Sequence, residues 1–169
     1  MAQVEDVTVD LEQAMAEEIK EFHFHIYFYQ NNAESVKTAE TLHKKIQALV
    51  KAGFFQAIPG QIHYAPWMPH LIGSFEMWCP REHFARTYAW FLLNRGDLSV
   101  LVHPLTLDES KDHSSRAVWM GTPFPLDFSW LVDRLPKPDW SQFPELGLGY
   151  SSPSAKPDVW GIVPGNKNK

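Results

Sequence analysis

The run Phe22-His23-Phe24-His25-Ile26-Tyr27-Phe28 alternates large apolar side chains with imidazole and phenol at a strict period of two. That period predicts a β-strand, because successive side chains leave opposite sides of a pleated backbone. With Phe22, Phe24, Ile26 and Phe28 turned toward a core, His23, His25 and Tyr27 stand together on the other face. Same-face neighbours on a strand lie about 6.7 Å apart. Two imidazoles so placed can share one ion with a third group from the next strand.

The pattern around this strand predicts the rest of the fold. Asn31-Asn32 interrupts it, and Val36, Ala39, Leu42, Ile46, Leu49 and Val50 then fall at helical spacing between Ala33 and Lys51, ahead of a capping Gly53. A second strand is expected at Phe54 to Ile58, followed by a Pro- and Gly-bearing loop to His70 and a third, alternating strand from Gly73 to Cys79. Pro80 ends that strand. A helix over Glu82 to Asn94 carries Phe84, Tyr88, Phe91 and Leu92 at helical spacing and closes at Arg95-Gly96. Leu98 to Pro104 reads as a fourth strand, terminated by a proline that cannot donate to a ladder. A further short strand is expected at Arg116 to Met120.

The order β-α-β-β-α-β predicts an α+β, ferredoxin-like antiparallel sheet with both helices on one face, an added strand and an irregular C-terminal arm. At 169 residues the chain suits one domain. We expect a leader over 1–20, the ferredoxin-like domain over 21–135, and an arm over 136–169 that holds Pro136, Pro138, Pro144, Pro153, Pro157 and Pro164. The sheet face away from the helices needs a cover. A second subunit, giving a homodimer, or the extra strand and the arm would shelter a cavity there.

Parity extends to the other strands. Phe75, Met77 and Cys79 facing the helices sends Ser74, Glu76 and Trp78 to the open face; Leu98, Val100 and Val102 facing inward sends Ser99, Leu101 and His103 outward. The first strand is central in this topology, so His103 approaches His23 and His25 from one side and Glu76 from the other. A lone histidine is usually a structural residue, but His-X-His on one strand with a third histidine on its neighbour suits a metal. His23, His25 and His103, or two of them with Glu76, would leave coordination positions open on iron for substrate and O2, the carboxylate version resembling a facial triad.

Other groups lend themselves to the same chemistry. His70 and His113 are expected on loops, where they could shuttle protons or add a ligand. Tyr27 and Trp78 share the open face and could pack on an aromatic ring, and Arg116 could grip a carboxylate bidentately. His43, His63 and His83 match no partner by parity and read as structural or solvent-facing.

Charge narrows the partners. A net charge of −5 without a Lys/Arg stripe argues against nucleic acid, and no stretch approaches the roughly 20 apolar residues of a membrane span. The single cysteine, Cys79, has no internal disulfide partner, and the acidic leader does not resemble a signal peptide. A cytoplasmic location is expected.

Four segments together resemble the fungal-type DOPA 4,5-dioxygenases. They are the strand from Phe22 to Phe28; Pro69-His70-Leu71-Ile72-Gly73-Ser74; the run Leu93-Asn94-Arg95-Gly96-Asp97 continuing through Leu98 to His103-Pro104; and Asp112-His113-Ser114-Ser115-Arg116 through Gly121. The resemblance covers roughly residues 21–131. It implies extradiol opening of a catechol such as DOPA by O2 at a non-haem Fe(II), with His70 or His113 managing protons. Proteins of that family tend to carry glutamine where this chain has Glu76, which favours the three histidines as ligands and leaves the carboxylate open. Zinc is the competing ion. It has no redox chemistry, so a zinc-loaded chain would be a small-molecule binding protein on the same scaffold.

Overall fold

The computed structural model describes residues 8–133 and 141–153. Residues Ile19–Ser152 form one compact unit that holds the whole sheet. Outside it, the short helix α1 (Leu11–Ala16) begins at Asp10, whose carboxylate accepts the N–H groups of Glu12 and Gln13. Positions 1–7 of the expected leader and 134–140 and 154–169 around and within the expected arm lie outside the described residues.

The sheet is five-stranded and antiparallel. Its strands are β1 (Glu21–Phe28), β2 (Ile58–Pro59), β3 (Gly73–Pro80), β4 (Ser99–Pro104) and β5 (Val118–Met120), in the order β2-β3-β1-β4-β5. The central position of β1 follows from its composition: Phe24, Ile26 and Phe28 on one face and His25 and Tyr27 on the other are all buried, so both faces must be covered. The register places His23 opposite His103 of β4 and opposite Trp78 of β3, with His25 opposite Glu76 and Leu101. Every inward and outward assignment on these three strands follows the alternation of the sequence.

Two long helices pack on the inner face. In α2 (Ala33–Lys51), Asn32 caps the first turn by accepting from the Glu34 and Ser35 amides, and Ala39, Leu42 and Ile46 are buried. The helix stops where Gly53 takes φ +73°. Gly53 N–H then donates to Val50 O and Phe54 N–H to Leu49 O, the paired bonds that satisfy a helix's last carbonyls. In α3 (Arg81–Asn94), Phe91 reaches the same core. Phe24, Ile26, Phe28, Phe75, Met77, Val100 and Val102 meet these helix residues in one apolar cluster. Truncating a fully buried Phe of such a layer to Ala costs about 3–5 kcal/mol.

Two expected strands are shorter than their patterns. Phe54 is still part of the helix cap, and Phe55 and Ala57 bury themselves in the core before the chain meets β3, so pairing begins only at Ile58 opposite Trp78. Arg116 and Ala117 likewise belong to the turn after α4 (Glu109–Asp112), where their amides donate to Lys111 and Ser114, and β5 starts at Val118.

The outer face is covered from within the unit. The loop after β2 folds back so that Trp67 and His70 exchange backbone hydrogen bonds, and His70 bridges to Leu126. Segment 105–131 brings α4 and β5, and residues 141–152 of the expected arm return to the N-terminal end of β1.

Candidate metal centre

Five histidines meet on the outer face of the sheet, and each comes from an element whose local logic is visible. His23 and His25 stand on β1 and His103 on β4 by strand alternation. His70 is held by the Trp67–His70 hairpin. His113 follows α4, whose first turn is capped by Asp108. All five are buried.

Among the described residues two groups can hold a metal ion: His23, His25 and His103, and His25, His70 and His113, each with its candidate ligand atoms within 4.8 Å of one another. His25 belongs to both. Its Nε2 lies 2.9 Å from Nε2 of His103, and the two rings are 9° from parallel. His113 packs tilted against His103 at 3.9 Å between ring centroids, and His70 against His25 at 4.2 Å.

Hydrogen bonds at the far side of the His103 and His113 rings leave their lone pairs for the centre. His103 Nδ1–H donates to the Pro104 carbonyl at 2.8 Å and His113 Nδ1–H to the Glu109 carbonyl at 3.0 Å, so the neutral rings carry their lone pairs on Nε2. Nδ1 of His70 meets the Tyr27 hydroxyl at 2.7 Å. His23 Nε2–H donates to the Gln142 carboxamide oxygen at 2.8 Å.

Burial, and then the neighbouring imidazoles, hold these groups neutral. Desolvation pushes His25 and His103 well below the ordinary histidine value, with the surrounding histidines adding to the shift. The same cause brings His70 down to about 3 and lowers His113. Burial raises the Tyr27 hydroxyl, which therefore keeps its proton. Neutral imidazole is the form that ligates a metal.

The donor set fits such an ion. His25 and His103 bring two buried ring nitrogens within 2.9 Å of each other, and His23 adds a third, a nitrogen donor set of the kind that zinc or iron takes.

A cavity of about 120 Å3 opens beside the cluster, lined by His23, His103 and His113 together with Thr106, Glu109 and Gln142 among others. An apolar cavity of about 150 Å3 accepts one benzene ring, so this space is on the scale of a single ring.

The other residues singled out in the sequence take various places. Glu76 stands 3.8 Å from His23 Nδ1, but its side chain is 51% exposed and it belongs to neither histidine group. Tyr27 is buried against His70, Trp119 and Phe124. Trp78 packs on Phe143 and donates its indole N–H to Glu21. Arg116 binds Asp112 at 2.9 Å and the Thr106 hydroxyl at 2.7 Å. Tyr27, Trp78 and Arg116 do not line the cavity beside the histidines. His43 Nε2–H donates to the Gly60 carbonyl at 2.8 Å and His63 stacks on Trp67, and neither belongs to the two histidine groups.

Sequence reasoning did not find Gln142, Glu21, Thr106 or Glu109. Parity does put Glu21 on the face of His23, and that signal was available. Gln142 had none: it follows a proline-rich stretch and reaches His23 across 119 positions.

Comparison with known proteins agrees with this geometry. The sequence model of the Dopa 4,5-dioxygenase family matches residues 22–130, which include all five histidines. A DOPA 4,5-dioxygenase of Amanita muscaria is 44% identical over 151 residues, covering 87% of this chain and 64% of that protein. An uncharacterised 21.2 kDa protein of Botryotinia fuckeliana is 39% identical over 127 residues, covering 68% of this chain and 64% of its own. This chain thus spans somewhat less than two thirds of each of these relatives. The crystal structure of a candidate dioxygenase from Nostoc punctiforme superposes with a TM-score of 0.59 at 30% identity, covering 66% of this chain and 90% of that one. The chain therefore belongs to the Dopa 4,5-dioxygenase family.

Proposed function

We propose that the protein is an extradiol dioxygenase that opens the ring of DOPA or a related catechol with O2, using a non-haem Fe(II) held by His23, His25 and His103. The observation that carries this reading is the buried five-histidine cluster beside a cavity on the scale of one ring. Iron is assigned over zinc because opening a catechol with O2 needs a redox-active ion, and zinc has no redox chemistry. Iron(II) bound there supplies the redox centre at which a catechol and O2 react.

The residues of the chain do the remaining work. The closed outer face excludes water from the cluster. His113 lines the cavity and can exchange a proton with a catechol hydroxyl as the ring opens, whereas His70 does not line it and would act from beside His25. His70 is oriented for this by the Tyr27 hydroxyl. Glu76 is assigned to holding His23 rather than the ion, since half of its side chain faces solvent. Trp78 and Arg116 support the walls: one packs beneath Phe143, and the other anchors Asp112 next to His113. A substrate entering the cavity would meet Thr106, Glu109 and Gln142 on its wall.

The strand order and the two helices on one face make this a ferredoxin-like split βαβ sheet with an added edge strand, in our reading. Cytoplasmic residence and a homodimer belong to the same proposal. Burial pushes the Cys79 thiol up to about 12, which keeps it an inert core residue in a reducing compartment. Among the described residues no helix is long and apolar enough to cross a membrane.

Anaerobic loading with Fe(II), followed by oxygen uptake and absorbance change with DOPA, caffeate and catechol, tests the reaction. One O2 consumed per catechol, with a new chromophore from the opened ring, is expected. No turnover with any catechol by iron-loaded protein overturns the proposal, and a chain that retains only zinc and binds catechols without O2 uptake would be the binding protein instead.

A further inference from the structure

The segment 141–152 is fastened to the sheet by a buried carboxylate. Glu21, at the start of β1, is 0% exposed and accepts three N–H groups: the Trp78 indole at 2.7 Å, the Gln142 amide at 3.3 Å and the Tyr150 amide at 3.1 Å. A carboxylate withdrawn from water is costly unless such charge-assisted bonds replace its hydration. The segment is also tied at Gly149, whose amide donates to Glu82, and at Tyr150, whose hydroxyl donates to the Leu105 carbonyl at 2.8 Å. Gly149 takes φ +61°, and a Cβ there would meet Glu21 Cγ at 2.5 Å. Only glycine allows this approach.

The consequence of that fastening is the placement of one side chain. Gln142 sits on no helix or strand, yet its carboxamide oxygen lies 2.8 Å from His23 Nε2 and it forms part of the cavity wall. A carboxamide oxygen can only accept, so the contact places a hydrogen on Nε2 of His23. We propose that Gln142 is a positioning residue for His23, setting the tautomer and ring orientation of that ligand, and that the clasp of Glu21 on segment 141–152 holds it there. This rests on the metal-binding reading for its purpose, but not for its geometry. Gln142 and the clasp lie beyond the residues 22–130 that the family model matches.

Two measurements test it. In metal-free protein, long-range proton–nitrogen NMR of the His23 ring should show the Nε2–H form. That form should be lost or mixed with the other tautomer in Gln142→Ala, and restored in Gln142→Glu, whose carboxylate accepts in the same place. In metal-loaded protein, competition with a chelator should show about tenfold weaker binding for Gln142→Ala, the scale of losing a ligand's outer hydrogen bond. Gly149→Ala, which leaves every site residue intact but crowds Glu21, should reproduce the loss. A wild-type ring with its hydrogen on Nδ1, or a Gln142→Ala ring and affinity unchanged from wild type, overturns the proposal. Failure of wild-type protein to bind any metal would sink the metal reading while leaving the NMR result to decide this one.

Discussion

His25 and His103 face each other nitrogen to nitrogen across the β1–β4 boundary, Nε2 to Nε2 at 2.9 Å on nearly parallel rings. The Pro104 carbonyl takes the Nδ1–H of His103, so His103 presents a lone pair and His25 supplies the hydrogen between them. Both rings are buried, and burial keeps both neutral. For both rings to offer a lone pair to a cation here, the hydrogen of His25 must move to its other nitrogen.

His25 is common to both groups that can hold a metal. His25→Ala is therefore expected to abolish metal binding, by more than the roughly 10- to 100-fold typical of losing an outer-shell partner. Equilibrium dialysis with metal analysis reads this directly. Retention of one ion per chain at wild-type affinity would rule out His25 as a ligand.

His70 and His113 separate the two groups. With His23, His25 and His103 as the ligands, His113→Ala and His70→Ala should each keep the bound ion and lower kcat by about 10²–10⁴-fold, the range for a lost acid–base group. Loss of metal from both variants, with His23→Ala still loaded, would transfer the ion to the second group.

Glu76 offers a sharp contrast. Its carboxylate touches His23 at 3.8 Å but is half exposed, so Glu76→Gln should shift metal affinity by less than about tenfold, below the loss of a ligand. Loss of the ion in this variant would restore the two-histidine, one-carboxylate arrangement.

Much of this arrangement could be read from the residues. The alternation of β1 placed His23 and His25 on one face, and the same parity on β4 delivered His103 opposite His23, because one side of each strand had to enter the core. His70 and His113 were legible only as loop histidines; their meeting with His25 depends on the Trp67–His70 hairpin and on α4, whose directions no periodicity encodes. Trp78 shows the limit of parity. It shares the open face, but the acceptor offered by Glu21 and the ring of Phe143 turn it into a wall support. Gln142 shows a harder limit, since a contact spanning 119 positions rests on the clasp at Glu21 rather than on any local pattern.

Asp112 ties the site to the stability of its support. It is buried, accepts the Thr106 amide at 2.7 Å and hydroxyl at 2.9 Å, and pairs with Arg116. Asp112→Ala leaves those donors without their acceptor, at a cost of about 2–3 kcal/mol, and loosens the turn that presents His113. Urea unfolding should show a lower midpoint with an unchanged slope. A midpoint equal to wild type would mean that water replaces the carboxylate without loss.

The buried histidines also fix how stability depends on pH. His70 titrates at about 3 in the folded protein against 6.5 for an unperturbed histidine, because burial disfavours its charged form, and His25 and His103 are lowered for the same reason. Between those values the unfolded chain binds more protons than the folded one, so stability is fully present above pH 6.5 and is lost as pH falls toward 3. Metal-free protein should therefore unfold at a lower urea concentration at pH 5.5 than at pH 7.5. His70→Gln removes one of these groups and should flatten the difference. An equal midpoint at both pH values would mean that the cluster takes up protons in the folded state, and the site would then have to open to water far more readily than its burial allows.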